Sequence, residues 1–152
     1  MNIQECIFFQ LAKAAQSGTR FWAACVNPYN VTPAQAMVLN FLRQEDRITA
    51  RELGQRTFLD SATLTGVLDR LEAAGHIRRM AHPQDRRAHL IVLTESGKNL
   101  AQRLFEQMIE ANQQFLQPLD EAEQHELKKL LTRLRSSAGQ PSMPNNAHGE
   151  ES

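Results

Sequence analysis

Two short segments gather the side chains with the most to offer chemically. Ser61-Ala62-Thr63-Leu64-Thr65-Gly66 mixes hydroxyls with small side chains, and Asp85-Arg86-Arg87 sets two adjacent guanidiniums behind a carboxylate. Hydroxyls both donate and accept, so they suit the mixed edges of nucleic-acid bases, while guanidiniums suit phosphates and narrow electronegative grooves. Covalent chemistry has no comparable foothold. The sequence holds no nucleophile elbow, phosphate-binding glycine loop or zinc-hydrolase helix motif, and an enzyme is not expected. No C-x-x-C or H-x-x-x-H spacing occurs, and His76, His82 and His89 read as incidental or phosphate-facing, so neither a metal nor a cofactor is expected.

Charge at first argues against a polyanionic partner, because the 152 residues carry 17 basic and 17 acidic side chains. The distribution argues the other way. Residues 1–42 hold 2 basic and 1 acidic, 43–103 hold 11 and 8, and 104–152 hold 4 and 8. Six of the eleven central cations, Arg70, Arg78, Arg79, Arg86, Arg87 and Lys98, fall in or beside one short segment, the local footprint that phosphate binding needs.

The elements that must position these residues are signalled by helix caps. Thr32-Pro33-Ala34-Gln35 is a capping box with Pro at the first helical position and opens a helix to about Arg43. Thr49-Ala50-Arg51-Glu52 opens a short helix to about Thr57. Asp60 or Ser61 can cap a third, with Leu64, Val67, Leu68 and Leu71 on its buried face and Gly75 as its stop. Asp120 to Glu123 opens the last, with Leu127, Leu130, Leu131 and Leu134 at helical spacing. Two longer helices flank the set, one from about Gln4 to Ala24 and one from Thr94 with a stripe from Leu100 to Leu119. Between Gly75 and Thr94 the period changes, and Ile77–Met80 and Leu90–Leu93 around a polar turn read as a two-stranded β wing.

A short helix, a tight turn at Phe58–Asp60 and a helix that begins with small polar residues is the layout of a DNA-reading helix-turn-helix. With Leu64, Leu68 and Leu71 in the core, the 100° step puts Ala62, Thr65, Gly66, Asp69 and Arg70 on the opposite side and Ser61 at the tip. Small side chains let such a helix enter a major groove about 12 Å wide. Taken alone, the segment also admits reading as an ordinary solvated helix start. The wing adds Arg86 and Arg87 for a minor groove, with Asp85 expected to hold Arg87 in one rotamer. Arg51, Gln55 and Arg56 on the preceding helix, with Arg78 and Arg79 on the wing, read as phosphate contacts or as plain surface charges.

The run from Asp60 to Ile77, followed by Asp85-Arg86-Arg87, the strand to Leu93 and Thr94-Glu95-Ser96-Gly97, closely resembles the recognition helix and wing of the MarR family. The resemblance covers about residues 5–135. It implies a mainly α winged helix-turn-helix fold with a helical dimerisation region built from the first and last two helices. In that scheme 1–137 form one domain, with the winged helix-turn-helix at about 32–97 and dimerisation helices at about 3–25 and 94–137. It also implies a homodimer whose lobes each read half of a pseudo-palindromic stretch of double-stranded DNA, with Arg87 in the minor groove and Ser61, Thr63 and Thr65 among the recognition contacts. Dimerisation has a physical argument too, because the stripe of the 94–119 helix plus Leu127–Leu134 exceeds what one winged domain can cover.

What would switch such a regulator is less legible. Members of the family are commonly repressors released by a small aromatic or phenolic ligand, and Phe8, Phe21, Trp22, Tyr29 and Phe41 read either as the lining of such a pocket or as core. The rival switch is a thiol sensor at Cys6, placed much as the reactive cysteine is in the organic-hydroperoxide-sensing branch; that branch holds its cysteine with tyrosines, and the one tyrosine here is Tyr29. Cys6 and Cys25 otherwise read as reduced, inert thiols. The longest apolar run, Phe21–Val26, is too short for a membrane span, and the start lacks a secretory signal, so no membrane partner and a cytoplasmic location are expected. The tail 138–152, with Pro141 and Pro144 and no apolar stripe, is expected to be disordered.

Overall fold

Helices α2 to α6 each begin where a side chain takes over backbone donors that have no partner inside the helix. The structure, a computed structural model, describes residues 2–137; the expectation of a disordered tail lies outside the described residues. Helix α1 spans Ile7–Val26, α2 Pro33–Gln44, α3 Ala50–Thr57, α4 Ser61–Ala73, α5 Glu95–Phe115 and α6 Glu121–Ser137. Thr32 Oγ1 accepts from the Gln35 N–H (3.2 Å) while Gln35 Oε1 accepts from the Thr32 N–H (2.8 Å), closing the box that opens α2. Replacing such a threonine by alanine costs about 1 kcal/mol. Thr49 and Glu52 do the same for α3, and the bonds from Thr49 hold the Glu52 carboxyl below its ordinary pKa. At α4 the cap is Asp60, which accepts from the Thr63 N–H (2.9 Å) and the Thr63 hydroxyl (2.6 Å).

Strands β1 (Ile48–Thr49), β2 (Ile77–Ala81) and β3 (His89–Leu93) form one antiparallel sheet in the order β1-β3-β2. Its register sets Ile77 opposite Leu93, Arg79 opposite Ile91 and Ala81 opposite His89. The expected two-stranded wing is present, and β1 joins it with Ile48 opposite Ile91. Two residues are too few to display a period of two, and Thr49 is also the cap of α3, so the helix signal masks the strand. The start of the chain differs as well. Ile3–Glu5 form a separate 3-10 turn, the chain is extended at Cys6, and α1 then runs two residues further than expected, to Val26.

Leu39 and Leu42 of α2, Leu53 of α3, Leu64, Leu68 and Leu71 of α4, Ile77 and Ile91 of the sheet and Leu104 of α5 form one buried core. Each fully buried side chain of this kind contributes about 1.5–3 kcal/mol. The core fixes which face of α4 is left outward.

Two knots join this lobe to the start of α5. At the end of α4, Gly75 takes φ +78° and the His76 N–H donates to the Leu71 carbonyl (2.9 Å), the left-handed stop expected from a glycine there. Thr94 then binds the same corner: its hydroxyl donates to the Gly75 carbonyl (2.6 Å) and accepts from the Gly97 N–H (3.0 Å), and its N–H donates to the His76 carbonyl (3.0 Å). A Cβ on Gly97 would lie 1.9 Å from that His76 oxygen, which explains the glycine inside a helix. The second knot is Asp46, whose Oδ1 accepts from the N–H groups of Leu93 (2.9 Å) and Arg47 (3.0 Å) and holds Arg47 at φ 62°.

The described chain divides after Phe115 into two units. In the second, Asp120 and Glu123 close a capping box at 2.9 Å each way, and Gln124 Nε2 donates to the Leu116 and Leu119 carbonyls. Leu127, Leu130, Leu131 and Leu134 of α6 are between 37 and 49% exposed.

Two predictions follow from these contacts. Gly97→Ala should lower stability by about 1–3 kcal/mol or more, because a backbone carbonyl must move to admit the methyl group; an unchanged urea midpoint would show that the corner yields freely. The Thr63 bonds lower the Asp60 pKa below 3.8, so the stability they give is present above that value and lost as pH falls through the lowered one. Asp60→Asn keeps an acceptor but not the charge, and the urea midpoint should then fall less steeply with acid; equal slopes in both proteins would exclude the effect.

Candidate nucleic-acid interface

The outward face of α4 is as small as its sequence suggests. Ser61, Ala62, Thr63 and Thr65 are exposed, and a Cβ built on Gly66 would meet no atom within 4 Å. The Thr63 hydroxyl donates to Asp60 and the Thr65 hydroxyl to the Ser61 carbonyl (2.8 Å). With their protons committed, both oxygens keep accepting capacity, which matches amino groups on base edges.

Two recesses flank this face. One, of about 470 Å³, is lined by Arg51, Gly54, Gln55, Leu59, Ser61, Leu64 and Thr65. The other, of about 340 Å³, is lined by Thr49, Arg51, Thr65, Arg79, Arg87 and His89 among others. Arg51 and Thr65 belong to both, so α3, α4 and the wing converge on one surface. Among the described residues no carboxylate lies within ion-pair distance of Arg51, Arg70, Arg86 or Arg87. These are the charges left for a polyanion.

Other expected contacts are engaged elsewhere. Arg56 pairs with Glu45 at 2.5 Å. Arg79 is spent inside the lobe: its guanidinium binds Asp69 (2.7 Å) and Glu72 of α4, and its N–H donates to Glu72 Oε1 (3.0 Å). Burial works against its charge, but the bonds to the two carboxylates outweigh burial and raise its pKa. Arg79 therefore clamps the wing to α4 while also lining the recess that holds Arg87. Arg78, its neighbour on the strand, lines a different recess with Arg47 and Lys98 and is not brought to the α4 surface. That follows from strand alternation, which sends adjacent side chains to opposite faces.

The role expected of Asp85 is also corrected. Its Oδ1 accepts from the Arg87 backbone N–H (2.9 Å), and no ion pair joins it to the Arg87 guanidinium. It fixes the turn that carries Arg87 rather than the rotamer. His82, read from sequence as incidental or phosphate-facing, shares that task. Its Nδ1 accepts from the N–H groups of Gln84 (3.2 Å) and Asp85 (3.1 Å), the place an Asp or Asn side chain takes in a turn. Its position at the head of the turn was the one available signal. Thr49, legible as a helix cap, was missed as a lining residue, and His89, read as incidental or phosphate-facing, lines the recess with Arg87.

The aromatic residues do not form one pocket. Phe8 is 79% exposed, whereas Trp22, Tyr29 and Phe41 pack against the core. Tyr29 donates its hydroxyl to Gln107 Oε1 (3.3 Å). Phe21 and Trp22 line a cavity of about 270 Å³ between α1 and α5, with Met108 and Phe115, whose ring centre is 5.3 Å from that of Phe21. Cys6, half-buried, precedes α1 as its cap residue and makes no side-chain cap bond. No helix among the described residues is long and apolar enough to cross a membrane.

Comparison with known proteins places this architecture. The MarR family profile matches residues 29–88. The chain is 38% identical over 99 residues to the HTH-type transcriptional regulator TtmR of Methylorubrum extorquens, a match over 65% of this chain that spans about half, 51%, of that relative's length. It is 31% identical over 103 residues, 68% of this chain and 70% of the relative, to the organic hydroperoxide resistance transcriptional regulator of Bacillus subtilis. Among solved structures, a probable transcriptional regulator from Pseudomonas aeruginosa is similar at TM-score 0.83 and 33% identity, over 88% of this chain and 99% of that one. A mutant MarR from E. coli complexed with operator DNA is similar at TM-score 0.80 and 27% identity, over 88% and 99%. The PcaV regulator from Streptomyces coelicolor in complex with its natural ligand is similar at TM-score 0.80 and 28% identity, over 91% and 98%. Helix-turn-helix, wing, flanking helices and sequence identity agree, and the chain belongs to the MarR family of transcriptional regulators.

Proposed function

We propose that this chain binds double-stranded DNA sequence-specifically as a homodimer on a pseudo-palindromic operator, as a repressor released by a small-molecule effector. The observation that carries the reading is the convergence of Arg51, Thr65 and Arg87, from three separate elements, on recesses beside the small face of α4. In this reading α4 enters the major groove with Ser61, Ala62, Thr63 and Thr65 at base edges. Arg51 and Gln55 meet phosphates, and Arg86 and Arg87 approach the adjacent minor groove. The operator complex of the E. coli relative supports it.

Residues 1–137 act as one functional domain in this proposal, with the winged lobe at 32–97 and dimerisation helices at 3–25 and 94–137. Exposed apolar side chains support the second copy: Ile7 and Leu11 on α1 and, separately, Leu127, Leu130 and Leu131 on α6. A DNA partner supports a cytoplasmic location in this reading. The PcaV complex with its natural ligand supports an effector, and the cavity at Phe21 and Trp22 suits an aromatic or phenolic one. Thiol sensing at Cys6 is the second reading, favoured by the Bacillus subtilis relative and by the half-buried position of Cys6 at the start of α1.

The test is an anisotropy titration against DNA flanking the protein's own gene, at two salt concentrations, with a panel of phenolic acids and with an organic peroxide. Salt-sensitive specific binding released by a phenolic supports the first reading; release by peroxide alone, reversed by thiol, moves the switch to Cys6. Absence of specific binding overturns both. Arg87→Ala should weaken specific binding by about 1–3 kcal/mol with the dimer intact, and unchanged affinity would remove Arg87 from the interface. Gly66→Ala should raise folding stability by about 1 kcal/mol, since its methyl group meets nothing in the free protein, yet weaken operator binding by crowding the groove. A gain in both would mean that α4 does not approach DNA closely at Gly66.

A further inference from the structure

Unpaired guanidiniums gather in a second place, at the base of the wing. Arg47 from the turn before β1, Arg78 from β2 and Lys98 from the first turn of α5 line one recess of about 250 Å³ with Asp46, Thr94 and Glu95. The two carboxylates there have other work: Glu95 Oε1 accepts from Lys98 Nζ (2.8 Å), and Asp46 Oδ1 accepts from two backbone N–H groups. Among the described residues no carboxylate lies within ion-pair distance of Arg47 or Arg78. Arg56 and Arg79, by contrast, are neutralised by neighbours of the same lobe. Lys98 is paired with Glu95, and the two unpaired guanidiniums of Arg47 and Arg78 repel unless a further anion sits between them.

Strand alternation puts Arg78 on the sheet face opposite Arg79, which lines the recess that holds Arg87. Arg78 pairs with Val92 near the base of the hairpin, three residues before Ala81, where the turn begins; at the usual strand rise that is about 10 Å. The recess at Arg78 is also narrow and reaches both wing and α5, which favours a compact ligand over a nucleic-acid backbone.

We propose that this recess binds a small polyanion of phosphate or polycarboxylate chemistry, held by the guanidiniums of Arg47 and Arg78 and the ammonium of Lys98. Two planar guanidiniums suit the paired oxygens of either group, and Lys98 adds a point charge from the helix start. A bound anion ties the wing and the β1 turn to α5. The proposal does not rest on DNA binding and is measured without DNA.

The experiment is a two-dimensional amide NMR titration of the full chain with inorganic phosphate and, separately, with citrate, at ionic strength held constant with chloride. Saturating shifts are expected at Arg47, Arg78 and Glu95–Lys98, with little change at Arg51 and Arg87. Arg78→Gln and Lys98→Gln, checked for unchanged melting, should each weaken binding about tenfold, as for loss of one charge-assisted bond. Stronger saturation by phosphate assigns a phosphoryl ligand, and stronger saturation by citrate a polycarboxylate. Shifts that never saturate, that spread equally over all exposed cations, or that survive Arg47→Gln and Arg78→Gln unchanged would overturn the proposal.

Discussion

The Thr94 hydroxyl is the smallest group on which the largest part of the architecture hangs. It donates to the carbonyl that ends α4 and accepts from the N–H of Gly97 in the first turn of α5. The recognition helix, the wing and the long helix therefore meet at one corner of backbone, and Gly97 lets them meet at contact distance. Asp46 repeats the device on the other edge of the sheet, binding the end of β3 to the turn before β1. Neither knot uses apolar burial. The core supplies the bulk of the stability, and these few directional bonds decide the angle at which the core's outer face is presented.

The arginines sort by what surrounds them. Those that serve the fold, Arg56 and Arg79, face carboxylates on neighbouring helices. Those beside the small face of α4, and those at the wing base, do not. A formal charge of zero thus conceals two groups of unpaired arginines, whereas Arg43, also without a carboxylate among the described residues, is held in the fold by stacking 3.6 Å over Phe105.

How much of this was legible in the sequence depended on whether the signal was local. The capping residues, the glycine that stops α4, its apolar face and the hairpin all depend on residues within a few positions of one another, and they stood out. Strand β1 did not, since its two residues are defined by a partner more than forty positions away. The clamp made by Arg79 was hidden for the same reason: Asp69 and Glu72 are close in sequence, but they reach it only once α4 and β2 pack side by side. At the wing turn, Asp85 was found and its partner misjudged, because a carboxylate next to two arginines suggests an ion pair where geometry gives a backbone bond. The scattered aromatics were beyond sequence reasoning, as hydrophobicity alone cannot separate a pocket wall from core.

The Arg79 clamp has a consequence for how a duplex would be read. One side chain joins the wing to α4 through Asp69 and Glu72, so in the proposed binding mode the two groove-facing elements move together. A base change beneath the helix that shifts α4 will also displace the wing. Under the proposed binding mode, energetic contributions of neighbouring operator positions should then fail to add, the half-site acting as a single rigid shape rather than as two separate words.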